Sequence, residues 1–158
     1  MKADIRFGSH KAVALTKVAS AKGYYPHTYD ITLSADHDNG DLVMKGDYDT
    51  TNYDTYKEGT GAIKFTGKVR QAHPDYKDMW EIEVEDTNAL LVSDSAISPY
   101  SERELQDETL LYNEKGSTVK ANGLVTGDVF SVTANGFTGT PADGAAITGY
   151  ADGKYTIA

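Results

Sequence analysis

The chain contains no cysteine, only 15 Lys and Arg against 24 Asp and Glu, and no long apolar run, and each shortage excludes a class of protein. Without thiols there is no disulfide framework, thiolate zinc site, iron–sulfur cluster or cysteine nucleophile, so stability has to come from packing and hydrogen bonds. A formal charge of -9 with scattered cations argues against a phosphate-tracking surface, because nucleic-acid binders concentrate Lys and Arg on one face. The longest apolar runs, such as Ala12-Val13-Ala14-Leu15, fall far short of the about 20 residues that cross a bilayer. No basic-then-apolar leader pattern opens the sequence. Neither nucleic acid nor membrane is therefore an expected partner.

Helical periodicity is also scarce, and what replaces it is a β texture: 15 Gly, 11 Tyr and many Thr, Val and Ile, broken by short turn clusters. The reading is a mainly β protein, an antiparallel β-sandwich or small β-barrel with one short connecting helix. The clearest strand is Met79–Glu85, in which Trp80, Ile82 and Val84 form a core face and Glu81, Glu83 and Glu85 a wet acidic one. Upstream, Ile63, Phe65, Gly67 and Val69 alternate with Lys64, Thr66, Lys68 and Arg70, so pairing the two strands sets a basic face against an acidic one. A cross-strand charge ladder on a solvated surface accounts for these charge runs.

Further strands are read at Ala12–Ala19, Tyr29–Ser34 and Asp41–Gly46, the last two joined as a hairpin through Asn39-Gly40. The polar stretch Asp47–Gly61, with Tyr48, Tyr53 and Tyr56, reads as a long projecting loop. Ser101–Asp107 carries a capping box, Ser101 and Glu104, and is the one predicted helix. Beyond it, Thr109–Tyr112, Val119–Val125, Val129–Ala134, Ala145–Tyr150 and Lys154–Ile157 read as short strands of a small antiparallel barrel or sandwich. Ser, Asp and Pro accumulate over Ser93–Ser101 and suggest a division into a β-rich lobe with an arm and Tyr-rich loop, 1–98, and a small C-terminal β-barrel lobe, 99–158. The two lobes can equally form one composite domain.

Residues able to carry chemistry are few. Asp36-His37-Asp38-Asn39-Gly40-Asp41 has the oxygen donors of a calcium loop's start, but position 12 from Asp36 is Asp47 where that loop needs a bidentate Glu, and strands flank it. An Asp/Asn-rich turn explains the same residues. His10, His27, His37 and His73 show no metal-ligand spacing, and His73-Pro74-Asp75 reads as a turn rather than a dyad. Glu83 and Glu85 stand about 6–7 Å apart on one strand face, a spacing that glycosidase carboxylates share with any alternating Glu pair. No nucleophile elbow, phosphate loop or dinucleotide fingerprint occurs. The expectation is a protein with no catalytic residues, cofactor or metal. Recognition is expected from tyrosines in loops: Tyr24, Tyr25, Tyr48, Tyr53 and Tyr56 are the predicted partner contacts.

The segments Leu110–Gly116, Val119–Ala121, Leu124–Val132, Phe137–Gly139 and Gly153–Ile157, with Gly127-Asp128 turning into a core strand, resemble the small β-barrel module of tailed-bacteriophage structural proteins. In particular the chain is similar to capsid decoration, or cement, proteins of about this length. The resemblance covers roughly the last fifty residues, and the first hundred match no family pattern. It implies a virion protein made in the host cytoplasm and placed on the capsid exterior, with the major capsid protein as partner. It also implies self-association as a trimer or dimer, and contacts from the Met1–Lys11 arm by strand addition and from the tyrosine loops. Such a protein binds the assembled shell and not the free subunit, so it stabilises the shell by mass action. The competing readings are a phage fibre or adhesin domain and a carbohydrate-binding β-domain.

Overall fold

The computed structural model describes residues 28–51, 55–74, 78–92 and 112–158. The protein is mainly β. In chain order the strands are β1 (Thr28–Thr32), β2 (His37–Asp38), β3 (Leu42–Tyr48), β4 (Tyr56–Gly59), β5 (Phe65–Ala72), β6 (Met79–Thr87) and β7 (Leu90–Val92). They continue as β8 (Tyr112–Asn113), β9 (Thr118–Gly123), β10 (Val129–Thr133), β11 (Phe137–Thr138), β12 (Ala146–Ala151) and β13 (Lys154–Ile157), with a 3-10 turn at Ala134–Gly136. Five strands close a barrel in the order β1-β4-β3-β7-β9, six form a sheet in the order β10-β6-β5-β12-β13-β11, and β2 and β8 make a two-stranded ribbon. Two pairings are parallel, β1 with β4 and β11 with β13; the rest are antiparallel.

The alternating segments fold as their patterns dictate. In β5, Phe65, Gly67 and Val69 are buried while Thr66, Lys68 and Arg70 are exposed. Its partner β6 sets Lys68 opposite Glu83, with Nζ 3.6 Å from Oε2, so the expected ladder has one rung at this pair. A bulge falls between Thr66 and Gly67, and a Cβ on Gly67 would collide with the carbonyl oxygen of Glu83, so the strand tolerates only glycine there without moving its neighbour. The wet face expected of β6 holds only in part. Glu85 is exposed and Glu83 half-buried, but Glu81 is only 8% exposed and accepts a 3.2 Å hydrogen bond from Gln71 Nε2. The reason is β10, which pairs with β6 so that Ser131 lies opposite Glu81 and Thr133 opposite Met79, all of them buried. Trp80, on the opposite face, is half-buried against the core rather than enclosed by it.

Two apolar clusters share the barrel wall. Ile31, Leu33, Val43, Val92, Val119 and Ala121 form one. Leu42, Ala89 and Leu91 join Phe65, Ile82, Phe130 and Tyr155 of the six-stranded sheet in the other. Neighbouring residues of β3 and of β7 thus bury opposite faces, Leu42 and Leu91 toward the sheet, Val43 and Val92 toward the other cluster. Strands buried on both faces lose the polar alternation, which is why these two short runs are continuously apolar.

Three expectations are corrected. β1 and β3 are not a hairpin: β4 lies between them, and the chain from Leu33 to Asp41 leaves the barrel to build the ribbon with β8. Asn39-Gly40 does turn the chain, Gly40 having φ 90° and Asp41 N–H donating to Asp38 carbonyl at 3.1 Å, but it turns a ribbon into β3. The stretch Asp47–Gly61 is not one projecting loop, since β3 runs through Tyr48 and β4 occupies Tyr56–Gly59. The strands of the C-terminal third close no barrel among themselves: β9 completes the barrel beside β1 and β7, β10 pairs with β6, and β12 with β5. The expected strand Ala12–Ala19 and helix Ser101–Asp107 lie outside the described residues.

Candidate functional site

β1 and β4 run parallel and β3 runs antiparallel to β4, so the start of β1, the end of β3 and the start of β4 meet at one end of the barrel. Tyr29, Tyr48 and Tyr56 stand at those three positions. Tyr29 and Tyr56 are half-buried against the apolar cluster of Ile31 and Val43, with ring centroids 5.5 Å apart and planes at 86°. Tyr48 meets Tyr56 in the same edge-to-face manner, 5.6 Å and 86°. Its side chain is 45% exposed, and it is the exposed large apolar residue of the described chain. Lys45 completes the patch, its ammonium lying 4.6 Å from the Tyr29 ring centroid and 4.4 Å from that of Tyr56. A cation over two ring faces is held by the quadrupole of each, about 0.5–1 kcal/mol per exposed contact.

The local cause of this assembly is a bulge. Lys45 pairs with Glu58 and Tyr48 with Tyr56, so β3 uses two residues, Gly46 and Asp47, where β4 uses Lys57 alone. A side chain at Gly46 would sit 2.7 Å from the Lys57 carbonyl oxygen, which explains the glycine. Simple alternation puts positions 45 and 48 on opposite faces; the extra residue returns them to the same one, against the Tyr56 ring. Of the predicted contacts, Tyr48 and Tyr56 are thereby brought together, and Tyr24, Tyr25 and Tyr53 lie outside the described residues. Tyr29 and Lys45 were missed. Tyr29 has a sequence signal, two residues before the buried Ile31, and Lys45 has the same one, two residues after the buried Val43; it is Tyr48 that only the bulge turns toward the Tyr56 ring.

The 36–41 segment forms a second polar cluster, at the end of the barrel where β1 finishes. His37 Nδ1 is 3.0 Å from Asp41 Oδ2 and its Nε2 is 2.8 Å from Glu58 Oε1. The Asp41 carboxylate also accepts Asp38 N–H at 3.0 Å, and Asp36 accepts Lys115 N–H at 2.7 Å. Two phenols dock the segment onto the six-stranded sheet: Tyr155 donates to Gly40 carbonyl at 2.8 Å, and Tyr150 accepts Leu42 N–H at 3.1 Å. Burial first, and then the Asp41 carboxylate for Tyr150 and the neighbouring Tyr150 phenol for Tyr155, raise the pKa of both phenols, so both stay protonated. The oxygen donors that suggested a calcium loop are instead engaged with the ribbon's own donors, and among the described residues no group of three His, Asp or Glu is arranged to hold a metal. Of the other histidines, His73 is fully buried after β5, its N–H donating to Met79 carbonyl, while His10, His27 and Asp75 lie outside the described residues.

No family model, curated protein or solved structure matches the chain.

Proposed function

We propose that the protein is a non-catalytic structural component of a phage virion that attaches to the exterior of the assembled capsid and stabilises it, contacting the major capsid protein through the Tyr29–Lys45–Tyr48–Tyr56 patch. The observation that carries the binding part is that patch: rigid aromatic side chains packed on a barrel end, with Tyr48 projecting from them and a cation held in place beside it. Tyrosine gives large contact area for little side-chain entropy, and interface hot spots are enriched in it. The capsid part is supported by the sequence resemblance of the last fifty residues, of which the β12–β13 hairpin and the Gly127-Asp128 turn are kept in the fold, and by the acidic, cysteine-free composition. A glycan-stacking role fits the patch less well, because rings at 86° to one another offer no flat platform for a sugar face.

The test is co-sedimentation of purified protein with undecorated, expanded heads. Saturable binding in a fixed ratio to capsid subunits is expected, weakened by Tyr48→Ser about tenfold or more, as for a hot-spot tyrosine. Tyr48 is half-exposed and gives Tyr56 one edge-to-face contact, so the variant loses about 0.5–1.5 kcal/mol of stability and stays folded, which circular dichroism checks. Undiminished retention of Tyr48→Ser would refute the patch assignment, and absence of binding by the folded parent would refute the capsid assignment.

A further inference from the structure

His37 has a carboxylate oxygen within hydrogen-bond distance of each ring nitrogen, and the two carboxylates come from different elements: Asp41 from the turn before β3, Glu58 from barrel strand β4. Ionised carboxylates only accept hydrogen bonds, so both contacts are satisfied together only when both nitrogens carry protons, that is, by the imidazolium. A neutral ring keeps one N–H and turns a lone pair toward the other carboxylate. We propose that His37 is a pH-operated latch: as an imidazolium it clamps the β2–β8 ribbon to β4, and as a neutral ring it lets the ribbon's leading edge go.

The remaining tethers show which part moves. Gly40 N–H donates to Val92 carbonyl at 2.8 Å, Val92 N–H to Asp41 carbonyl at 2.9 Å, and Tyr155 holds the Gly40 carbonyl. These fix the Gly40–Asp41 end to β7 and to the sheet whatever the state of the ring. Ahead of them Leu33 is buried in the barrel cluster, its N–H donating to Ser117 carbonyl and its carbonyl accepting Gly116 N–H, both at 2.9 Å. Between these two anchors the leading residues have less: Glu58 is reached by Ser34 N–H only at 3.4 Å, and Asp36 is tied to Lys115 within the ribbon loops. Asp41 retains the Asp38 N–H as a donor. The hydrogen bond to Asp41, four residues on in the same turn, is the stronger of the two on the ring, so the neutral ring keeps its remaining N–H there and gives up Glu58; the contact between ribbon and β4 is the one lost.

The charges around the ring favour its protonation. Asp41 and Glu58 face it directly; Asp38 adjoins it in β2, and Asp36 lies one residue before it. On β8 it is paired with the uncharged Asn113, and Tyr150 of β12, near Asp41, stays a neutral phenol. The hydrogen bond to Asp41 is the largest influence, raising the ring's pKa above 6.5; burial opposes it, and the charges of Glu58 and Asp41 add to the rise. The folded state thus binds this proton more tightly than the unfolded one. The latch's contribution is complete below about pH 6.5 and is lost as pH rises through the elevated folded value.

The experiment needs only the purified chain. The His37 ring is titrated by NMR, its signals assigned by their loss in His37→Gln, while hydrogen exchange of the Ser34 amide, which donates to Glu58, is followed from pH 6 to 9 and corrected for intrinsic base catalysis, with the Asp38 amide, retained on Asp41, as the internal control. The expected result is a ring pKa above the ordinary histidine value that falls back in Glu58→Gln, with protection of the Ser34 amide dropping severalfold across that transition while that of Asp38 holds, and no such step in His37→Gln. Glu58→Gln keeps the side-chain shape and serves where His37→Gln fails to fold. A ring pKa at or below the ordinary value, a pKa unmoved by Glu58→Gln, or protection independent of pH would overturn the latch.

Discussion

Removing one oxygen atom from a fully buried aromatic ring tests how the ribbon is joined to the sheet. Tyr155 is fully buried, with ring centroids of Phe65, Phe130, Phe137 and Tyr150 between 5.0 and 6.1 Å away, and its hydroxyl donates to the Gly40 carbonyl at 2.8 Å. Tyr155→Phe keeps the ring and every apolar contact but leaves the carbonyl of buried Gly40 without this donor, which costs about 1–3 kcal/mol. For a chain of this size each kcal/mol lowers Tm by about 2–4 °C, so the expected loss is about 2–12 °C. Tyr155→Ala removes the ring as well and should cost roughly 3–5 kcal/mol, as fully buried aromatic truncations do. Equilibrium urea unfolding reads both variants, the phenylalanine one with an unchanged m-value because the surface exposed on unfolding is the same. A Tyr155→Phe protein within about 0.5 kcal/mol of the parent, the scatter of neutral substitutions, would refute the claim that this hydroxyl anchors the turn.

Two further substitutions probe the six-stranded sheet. Gly67→Ala should destabilise by about 1–3 kcal/mol, because the added methyl meets the rigid Glu83 backbone carbonyl rather than a side chain that can swing away; a parent-like urea midpoint would show that the bulge relaxes freely. Trp80→Ala should cost about 2 kcal/mol, below the roughly 3–5 kcal/mol of an enclosed aromatic, because one part of the indole is already in solvent; a loss at the full-core value would mean that Trp80 is enclosed in solution.

What the sequence made legible is the part governed by local alternation. Phe65, Gly67 and Val69 against Ile82 and Val84 read correctly because both strands have one polar face for much of their length, and the Lys68–Glu83 rung follows from pairing them. The failures share a cause. Asn39-Gly40 states that the chain turns but not which strands flank the turn, and the insertion of β4 between β1 and β3 is decided by contacts distant in sequence. Glu81 reads as wet until β10 is laid beside it. Lys45 and Tyr48 look opposed until Gly46 and Asp47 are counted against a single Lys57. The strand pattern of the last fifty residues picked out real strands and a real turn: Asp128 N–H donates to Val125 carbonyl, and the Asp128 carboxylate accepts Val125 N–H at 2.9 Å. β8, β9, β10 and β12 nevertheless join partners from the first hundred residues, because short strands rarely bury enough surface alone.

Strand β4 is where the two ends of the barrel meet, and its weakness explains the anchors found on it. It has four residues, is matched to β1 only at Ile31–Tyr56 and Thr32–Lys57, and is offset from β3 by the bulge, so its backbone pairing is thin on both sides. Side chains make up the difference. At one end Tyr56 is gripped by Tyr29, Tyr48 and the Lys45 ammonium; two residues on, at the same parity of the pleat, Glu58 is gripped by His37. The two grips differ in kind. The aromatic one rests on ring packing, whereas the imidazolium clamp depends on a proton. Raising the pH therefore loosens β4 at its Glu58 end while leaving the tyrosine patch assembled, so a partner bound at the patch and a ribbon released from β4 are compatible states of one molecule.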